Sequence, residues 1–296
     1  MSGEFSAGWL GLREPADAEA RAADLVDLLR SVLHEPRPDR PIVIRDLGCG
    51  TGSLGRWLAP RLPGPQHWVL VDRDPALLDR AAASLPGYAA DGAPVTVEAT
   101  LGDVTALSAA DLAGTSLVTC SALLDLLTAG EVTDLAAALA AGGTPALLTL
   151  SVDGAVRFDP PDPLDALVAA AFDDHQRRTV PVADKSDGRD TPAPGADPAG
   201  PIAGTGRRLL GPDAPAVAER ILETYGARVT VRPSPWRLGP DRAELAAAWL
   251  RGWIGAAVEQ HPDLRVDAYR EQRLAGLAAG TVTVTVGHRD LLARFR

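Results

Sequence analysis

Between Asp17 and Leu33 the chain places Leu25, Leu28, Leu29, Val32 and Leu33 at i, i+3, i+4, i+7 and i+8. That spacing gathers apolar side chains on one face of a helix. Pro36, Pro38 and Pro41 stop it from continuing. The pattern then shortens to apolar and β-branched runs. Pro41–Leu47 reads as a buried strand running into a glycine cluster, with a helix over Leu54–Leu62 behind it. Trp68–Asp72 reads as a second strand, followed by a helix over Pro75–Ser84 with Asp74 as N-cap and Pro75 at its first position. Further strands are expected over Val95–Leu101, Ser116–Cys120 and Ala146–Val152, with helical segments between them. The most apolar of these segments, Leu135–Ala141, ends in Gly142-Gly143. Alternating strand and helix predicts an α/β fold with a mostly parallel, doubly wound sheet.

Past Val152 the pattern loosens. Pro163–Gln176 reads as a helix. Val180–Gly206 is rich in Pro, Gly, Asp and Ala, cannot bury enough surface to offset its ordering entropy, and is expected to be a mobile loop. A helix resumes after Gly211 and runs to Tyr225, then a strand near Ala227–Arg232 and helices over Asp241–Gln260 and Asp263–Ala278. Thr281–Gly287 alternates strictly, as at a sheet edge or in an antiparallel pair. The organisation predicted is one structural domain in four parts. A helical cap (1–40) precedes a core (41–152), a helical and loop insertion forming a substrate lid (153–280), and a closing strand with its tail (281–296).

Apolar residues are 46% and charged residues 23% of the 296, an ordinary balance for a globular chain. The formal charge of −10 disfavours a uniformly basic nucleic-acid binder. Lys185 is the one lysine, so nearly every cation is arginine. Two cysteines, Cys49 and Cys120, build no disulfide framework. The first ten residues lack the basic and apolar regions of a signal peptide, and no run approaches the roughly 18 apolar residues of a membrane span. A cytoplasmic protein without membrane association is expected, monomer or homodimer. No His, Cys and carboxylate set has metal-ligand spacing, so no metal is implied.

The chemistry gathers at Asp46-Leu-Gly48-Cys49-Gly50-Thr-Gly52. A strand ends in a carboxylate, and a glycine turn opens a helix whose N–H groups can face a ligand. Asp72 falls 20 residues past Gly52 at the next strand end, placed to accept from both hydroxyls of a ribose. Asp103 ends the third strand and can accept from a purine amine. All three would line the crevice at the carboxyl ends of the strands.

These residues resemble the class I S-adenosylmethionine (SAM)-dependent methyltransferases. Asp46–Gly52 matches their first motif, Asp72 the acid ending the second strand, Asp103 the adenine-side acid, and Cys120–Leu127 the segment after the fourth strand. The resemblance spans about residues 40–152, with a family-like closing strand near the C-terminus. It implies a seven-stranded sheet with the last strand antiparallel, SAM as cofactor and S-adenosylhomocysteine (SAH) as product. It also implies a cofactor site of Asp46, Gly48, Cys49, Gly50, Gly52, Asp72 with Arg73, Asp103 with Val104, and Ser121 facing the transfer pocket. In relatives an arginine before the first strand meets the SAM carboxylate, a role carried over to Arg13.

Gly50–Gly55 also satisfies G-x-G-x-x-G, so an NAD-dependent oxidoreductase is the competing enzyme reading. Asp46 argues against it, since a carboxylate beside a pyrophosphate repels while one beside a sulfonium and an ammonium attracts. A catalytically silent SAM-binding regulator is the non-enzyme alternative.

For the acceptor, the chain lacks the Asn/Asp-Pro-Pro-aromatic signature of base-methylating enzymes after the fourth strand. Its Asp159-Pro-Pro-Asp162 reads as a turn. A small molecule is the default. Arg177 with Arg178, and Arg207 with Arg208, flank the expected loop and could meet around an anionic acceptor, or form a solvated rim. Trp236 stands in the same added region, and Trp249 and Trp253 share a helix face, as core packing or as a pocket wall. His175 and Asp125 are candidate general bases, each also readable as structural. His34, His67, His261 and His288 have no constellation around them, and Cys49 and Cys120 are expected to be buried and inert.

Overall fold

The computed structural model describes residues 6–33, 40–181 and 206–295. The reading of Val180–Gly206 as a mobile loop therefore falls mostly outside the described residues, as do His34 and Lys185. In chain order the helices are α1 (Ala7–Ala20), α2 (Asp24–Arg30), α3 (Ser53–Leu58), α4 (Pro75–Ser84), α5 (Ala129–Gly142), α6 (Asp165–Gln176), α7 (Ala214–Thr224), α8 (Ala243–Gln260) and α9 (Asp267–Ala279). The strands are β1 (Ile42–Leu47), β2 (Gln66–Asp72), β3 (Val95–Leu101), β4 (Leu117–Ser121), β5 (Ala146–Asp159), β6 (Thr179–Pro181), β7 (Gly206–Arg208), β8 (Arg228–Pro233), β9 (Trp236–Leu238) and β10 (Thr283–Arg294).

The main sheet runs β3-β2-β1-β4-β5-β10-β8, with β9 as a short eighth strand on β10, and β6 pairs β7 apart from it. β10 is antiparallel to each of its neighbours, while β1 to β5 pair in parallel. The seven-stranded order with a reversed last strand thus holds. The alternation of Thr281–Gly287 reflects antiparallel pairing inside the sheet rather than an edge.

Period-two alternation sends successive side chains to opposite faces. Ile42, Ile44, Trp68 and Leu70 pack with α2, α3 and α4. Leu47, Val69, Val71 and Cys120 pack with α5 and α7 on the other side. A third core stands apart: Phe158 of β5 and Val284 and Val286 of β10 pack with α6, α8 and α9. It exists because β5 does not stop at Val152 but continues to Asp159, paired with β10 across Thr283–Arg289. The residues expected as a loose segment and a turn are therefore partly strand. Among the described residues no helix is long and apolar enough to cross a membrane.

One departure shapes the site. The single helix expected over Asp17–Leu33 is broken. Asp290 Oδ2 accepts from the Ala22 amide, Arg21 leaves helical dihedrals, and α2 starts afresh. The third core also holds a buried ion pair. Arg273, 3% exposed, gives Nη2 to Asp165 at 2.6 Å and Nη1 to the Pro160 carbonyl. Asp165→Ala strands that guanidinium, and an uncompensated buried charge costs about 3–5 kcal/mol. Denaturant unfolding is expected to show a loss at the lower end of that range, because Pro160 and the faces of Phe158 and Tyr269 still hold the cation.

Candidate active site

The turn after β1 carries positive φ at Gly48 (61°), Gly50 (55°) and Gly52 (83°), backbone that only glycine adopts without strain. A Cβ at Gly52 would also press on the Ala81 backbone at 3.1 Å. Gly55, the last glycine of the dinucleotide-like pattern, faces away from the turn. A Cβ there would collide with Leu85, so it serves the seating of α3 rather than a phosphate.

A cavity of about 820 Å³ opens over this turn, in the size range of small-molecule sites. Its lining brings together Asp46, Gly48, Cys49, Gly50, Asp72 and Arg73. From other elements come Asp103, Val104, Ser121 and Arg13. Of the expected cofactor residues, Gly52 alone does not line it. Asp72 stands at the end of β2, its Oδ2 accepting from Gly50 N at 2.8 Å and its Oδ1 from Asp74 N at 3.0 Å. Each oxygen has two lone pairs, so acceptor capacity remains for a ligand. Asp103 accepts from the Thr105 amide and hydroxyl. Cys49 and Cys120 are free, buried thiols, and burial pushes both well above the ordinary range.

Asp46 is 1% exposed; its Oδ1 accepts from Thr119 at 2.7 Å, and its Oδ2 is buried with no partner. Burial raises its pKa to about 7, against the opposing Thr119 hydrogen bond and the Arg21 charge. Its folded value lies above the unfolded one, so its contribution to stability is full below pH 4 and lost as pH rises through 7. Relative to Asp46→Asn, the ligand-free wild type is expected to lose thermal stability from about pH 4 to about pH 7 and to level off above that. A constant difference across that window would contradict the burial of this charge.

The residue that sequence reasoning missed is Arg21. It lines the cavity, 4% exposed, with Nη2 donating to Ser53 Oγ at 3.2 Å and Ser121 Oγ at 3.3 Å. Its Nε and Nη1 are buried without a partner. Arg13, expected in this role, also lines the cavity, but Asp17 holds its Nε and Nη2 at 2.9 and 3.2 Å. No local motif marks Arg21, because the break that turns it inward is set by Asp290 at the far end of the chain.

A second, smaller cavity of about 140 Å³ adjoins the first, sharing Arg13 and Ala122 with it. Trp9, Trp236, Trp249 and Phe172 wall it, and Asp125 lines it. Trp253, on the same helix face as Trp249, is core instead, stacked at 5.3 Å between ring centroids. His288, which the sequence leaves without a setting, lines this cavity beside Trp236. The other proposed residues scatter. His175 lines neither cavity; its ring faces Glu259 and Arg178. Arg177 is held by Asp213 and Arg207 by Glu131, each through two hydrogen bonds. Arg178 and Arg207 line the first cavity, while Arg177 and Arg208 line neither.

Residues 44–143, from β1 through α5, match the family described as methyltransferase domain. That stretch is thus similar to a methyltransferase domain, and it covers the parallel strands β1, β2, β3 and β4 and the glycine turn that lines the first cavity. A comparison with curated proteins gives no match. Among solved structures, the chain is similar to the cyclopropane synthase MmaA2 from Mycobacterium tuberculosis, with 12% identity over 98% of this chain and 95% of that one and a TM-score of 0.48. It is also similar to the magnesium protoporphyrin IX methyltransferase from Synechocystis PCC 6803, with 13% identity over 99% and 90% and a TM-score of 0.43.

Proposed function

We propose that the chain transfers the methyl group of SAM to a small-molecule acceptor by in-line displacement. The observation that carries this reading is the pair of unsatisfied opposite charges in the first cavity, Asp46 Oδ2 and the Nε and Nη1 of Arg21. Buried charges are normally paired, so a missing partner there is best supplied by a zwitterion. The α-amino acid end of SAM is one: Asp46 takes its ammonium and Arg21 its carboxylate. The turn from Gly48 to Gly52 flanks the methionine chain, Asp72 takes the ribose hydroxyls with Arg73 beside it, and Asp103 with Val104 borders the adenine.

When bound, SAM supplies a methyl group on a cationic sulfur. The chain's part is alignment and exclusion of water, with Arg13 and Ala122 at the junction of the two cavities and Ser121 beside it in the first. NAD finds less support, since Asp46 would face a pyrophosphate and Gly55 serves packing. An anionic acceptor also finds little, because Asp213 and Glu131 already occupy Arg177 and Arg207.

Incubation with methyl-labelled SAM and the small-molecule, protein and nucleic-acid fractions of a cell extract tests the acceptor class. Label is expected in the small-molecule fraction. Label confined to protein or nucleic acid would overturn that class, and intact SAM binding with no label anywhere would favour the silent regulator.

A further inference from the structure

The polar groups of the second cavity share one character. Asp125 and Asp173 line it, and neither side chain makes a hydrogen bond or ion pair with another described residue. Gln176, also in the lining, has a buried Oε1 with no partner. Burial pushes the carboxyl of Asp125 up against the more distant charges of Arg13 and Arg178, and that of Asp173 to about 6 against Arg177, none of which makes an ion pair with either carboxylate. Arg13, the one arginine in the lining, is compensated by Asp17. Burial lowers His288 to about 4, so it is neutral, and its Nδ1 sits 3.0 Å from the Val286 carbonyl, which requires that nitrogen to donate. The indole N–H of Trp236 is spent on Asp17. The charged groups left without a hydrogen bond are thus both carboxylates, and beside them the indole N–H groups of Trp9 and Trp249 are the remaining donors; four aromatic side chains, whose faces attract cations, enclose them.

We propose that this cavity is the acceptor site and takes an amine in its protonated form. Asp125 and Asp173 accept its N–H bonds, and Trp9, Trp236, Trp249 and Phe172 cover its carbon skeleton. The inference rests on the methyltransferase reading, and it replaces the anionic acceptor suggested by the arginine pairs. An ammonium has no lone pair, so one N–H proton passes to a carboxylate of the cavity before transfer. The freed lone pair forms the N–CH₃ bond while the S–CH₃ bond of SAM breaks and its electron pair stays on sulfur. The products are SAH and an N-methylated ammonium. A site built from unmet acceptors discriminates strongly against ligands without donors, since those acceptors would then be buried unpaired.

The test is titration of the full chain, saturated with SAH, with three probes of one shape: phenethylamine, 2-phenylethanol and 3-phenylpropionate, followed by tryptophan fluorescence. Phenethylamine is expected to bind at least tenfold tighter than the alcohol, and the acid weakest. Asp125→Asn and Asp173→Asn, which keep size and shape, are each expected to weaken the amine at least tenfold and leave SAH affinity within twofold. Equal or tighter binding of the acid or alcohol, an amine preference that survives both substitutions, or no amine binding to the SAH complex would overturn the proposal. The same titration without SAH reads the cavity alone. A failure of SAH to bind is thus a separate outcome, against the methyltransferase reading itself.

Discussion

Arg21→Met is expected to weaken SAH binding by at least thirtyfold while leaving the ligand-free chain about as stable as before. The guanidinium is 4% exposed, and two of its three nitrogens have no partner. Burial lowers its pKa, with Asp17 and Asp290 the largest opposing influences, so the folded chain holds this charge at a cost. Methionine keeps the length of the stem and removes the charge. The losses are hydrogen bonds to Ser53 and Ser121 and a contact over Trp57 at 5.6 Å, offset by the relief of desolvation. Affinity behaves otherwise. Truncating one partner of a buried charge pair costs about 2–5 kcal/mol, which is about thirtyfold to several thousandfold in Kd. Calorimetry with SAH and thermal melts of the ligand-free chain check both halves. Unchanged affinity would remove Arg21 from the cofactor site. A collapse in melting temperature would make it a structural residue.

Asp72→Ala carries the second large effect. Its carboxylate holds the Gly50 and Asp74 amides, and in the proposed complex it also accepts from two ribose hydroxyls. Hydrogen bonds to a charged group contribute about 1.5–3 kcal/mol each. Losing both ribose bonds is therefore expected to raise the Kd for SAH at least a hundredfold. The glycine turn adds to the loss, because the Gly50 amide at a positive-φ residue is left without its acceptor. Asp72→Asn keeps one carbonyl oxygen and is expected to fall between the two. An Asp72→Ala chain that binds SAH as the wild type does would overturn the ribose assignment.

The first half of the chain is legible because its constraints are local. Parallel strands buried on both faces must be short apolar runs, so β1 and β2 stand out from their surroundings, while β3 at the sheet edge shows itself by its β-branched residues. Asp74 before Pro75 fixes the start of α4, with Asp74 Oδ1 accepting from Ala76 and Leu77. The glycine turn is legible for the same reason, since its backbone excludes other residues. What the sequence hides is set by distant partners. Ala22 breaks its helix to reach Asp290, 268 positions on, and that break turns Arg21 inward. Arg207 looks free beside Arg208 until Glu131, 76 positions earlier, takes it. β5 runs on past Val152 because β10 pairs with it around irregularities near Gly287 and Asp290, which spoil the simple alternation that marks a strand. Trp249 and Trp253 share a face, yet one meets a cavity and the other the core.

Parallel calorimetric titration of the purified chain with SAM, SAH and NAD decides whether the first cavity holds SAM. Saturable one-to-one binding of SAM and SAH, with none for NAD, is the predicted result. Binding of NAD with no response to either sulfur ligand would contradict it, and would mean that Asp46 and Arg21 do not receive the amino acid end of a cofactor.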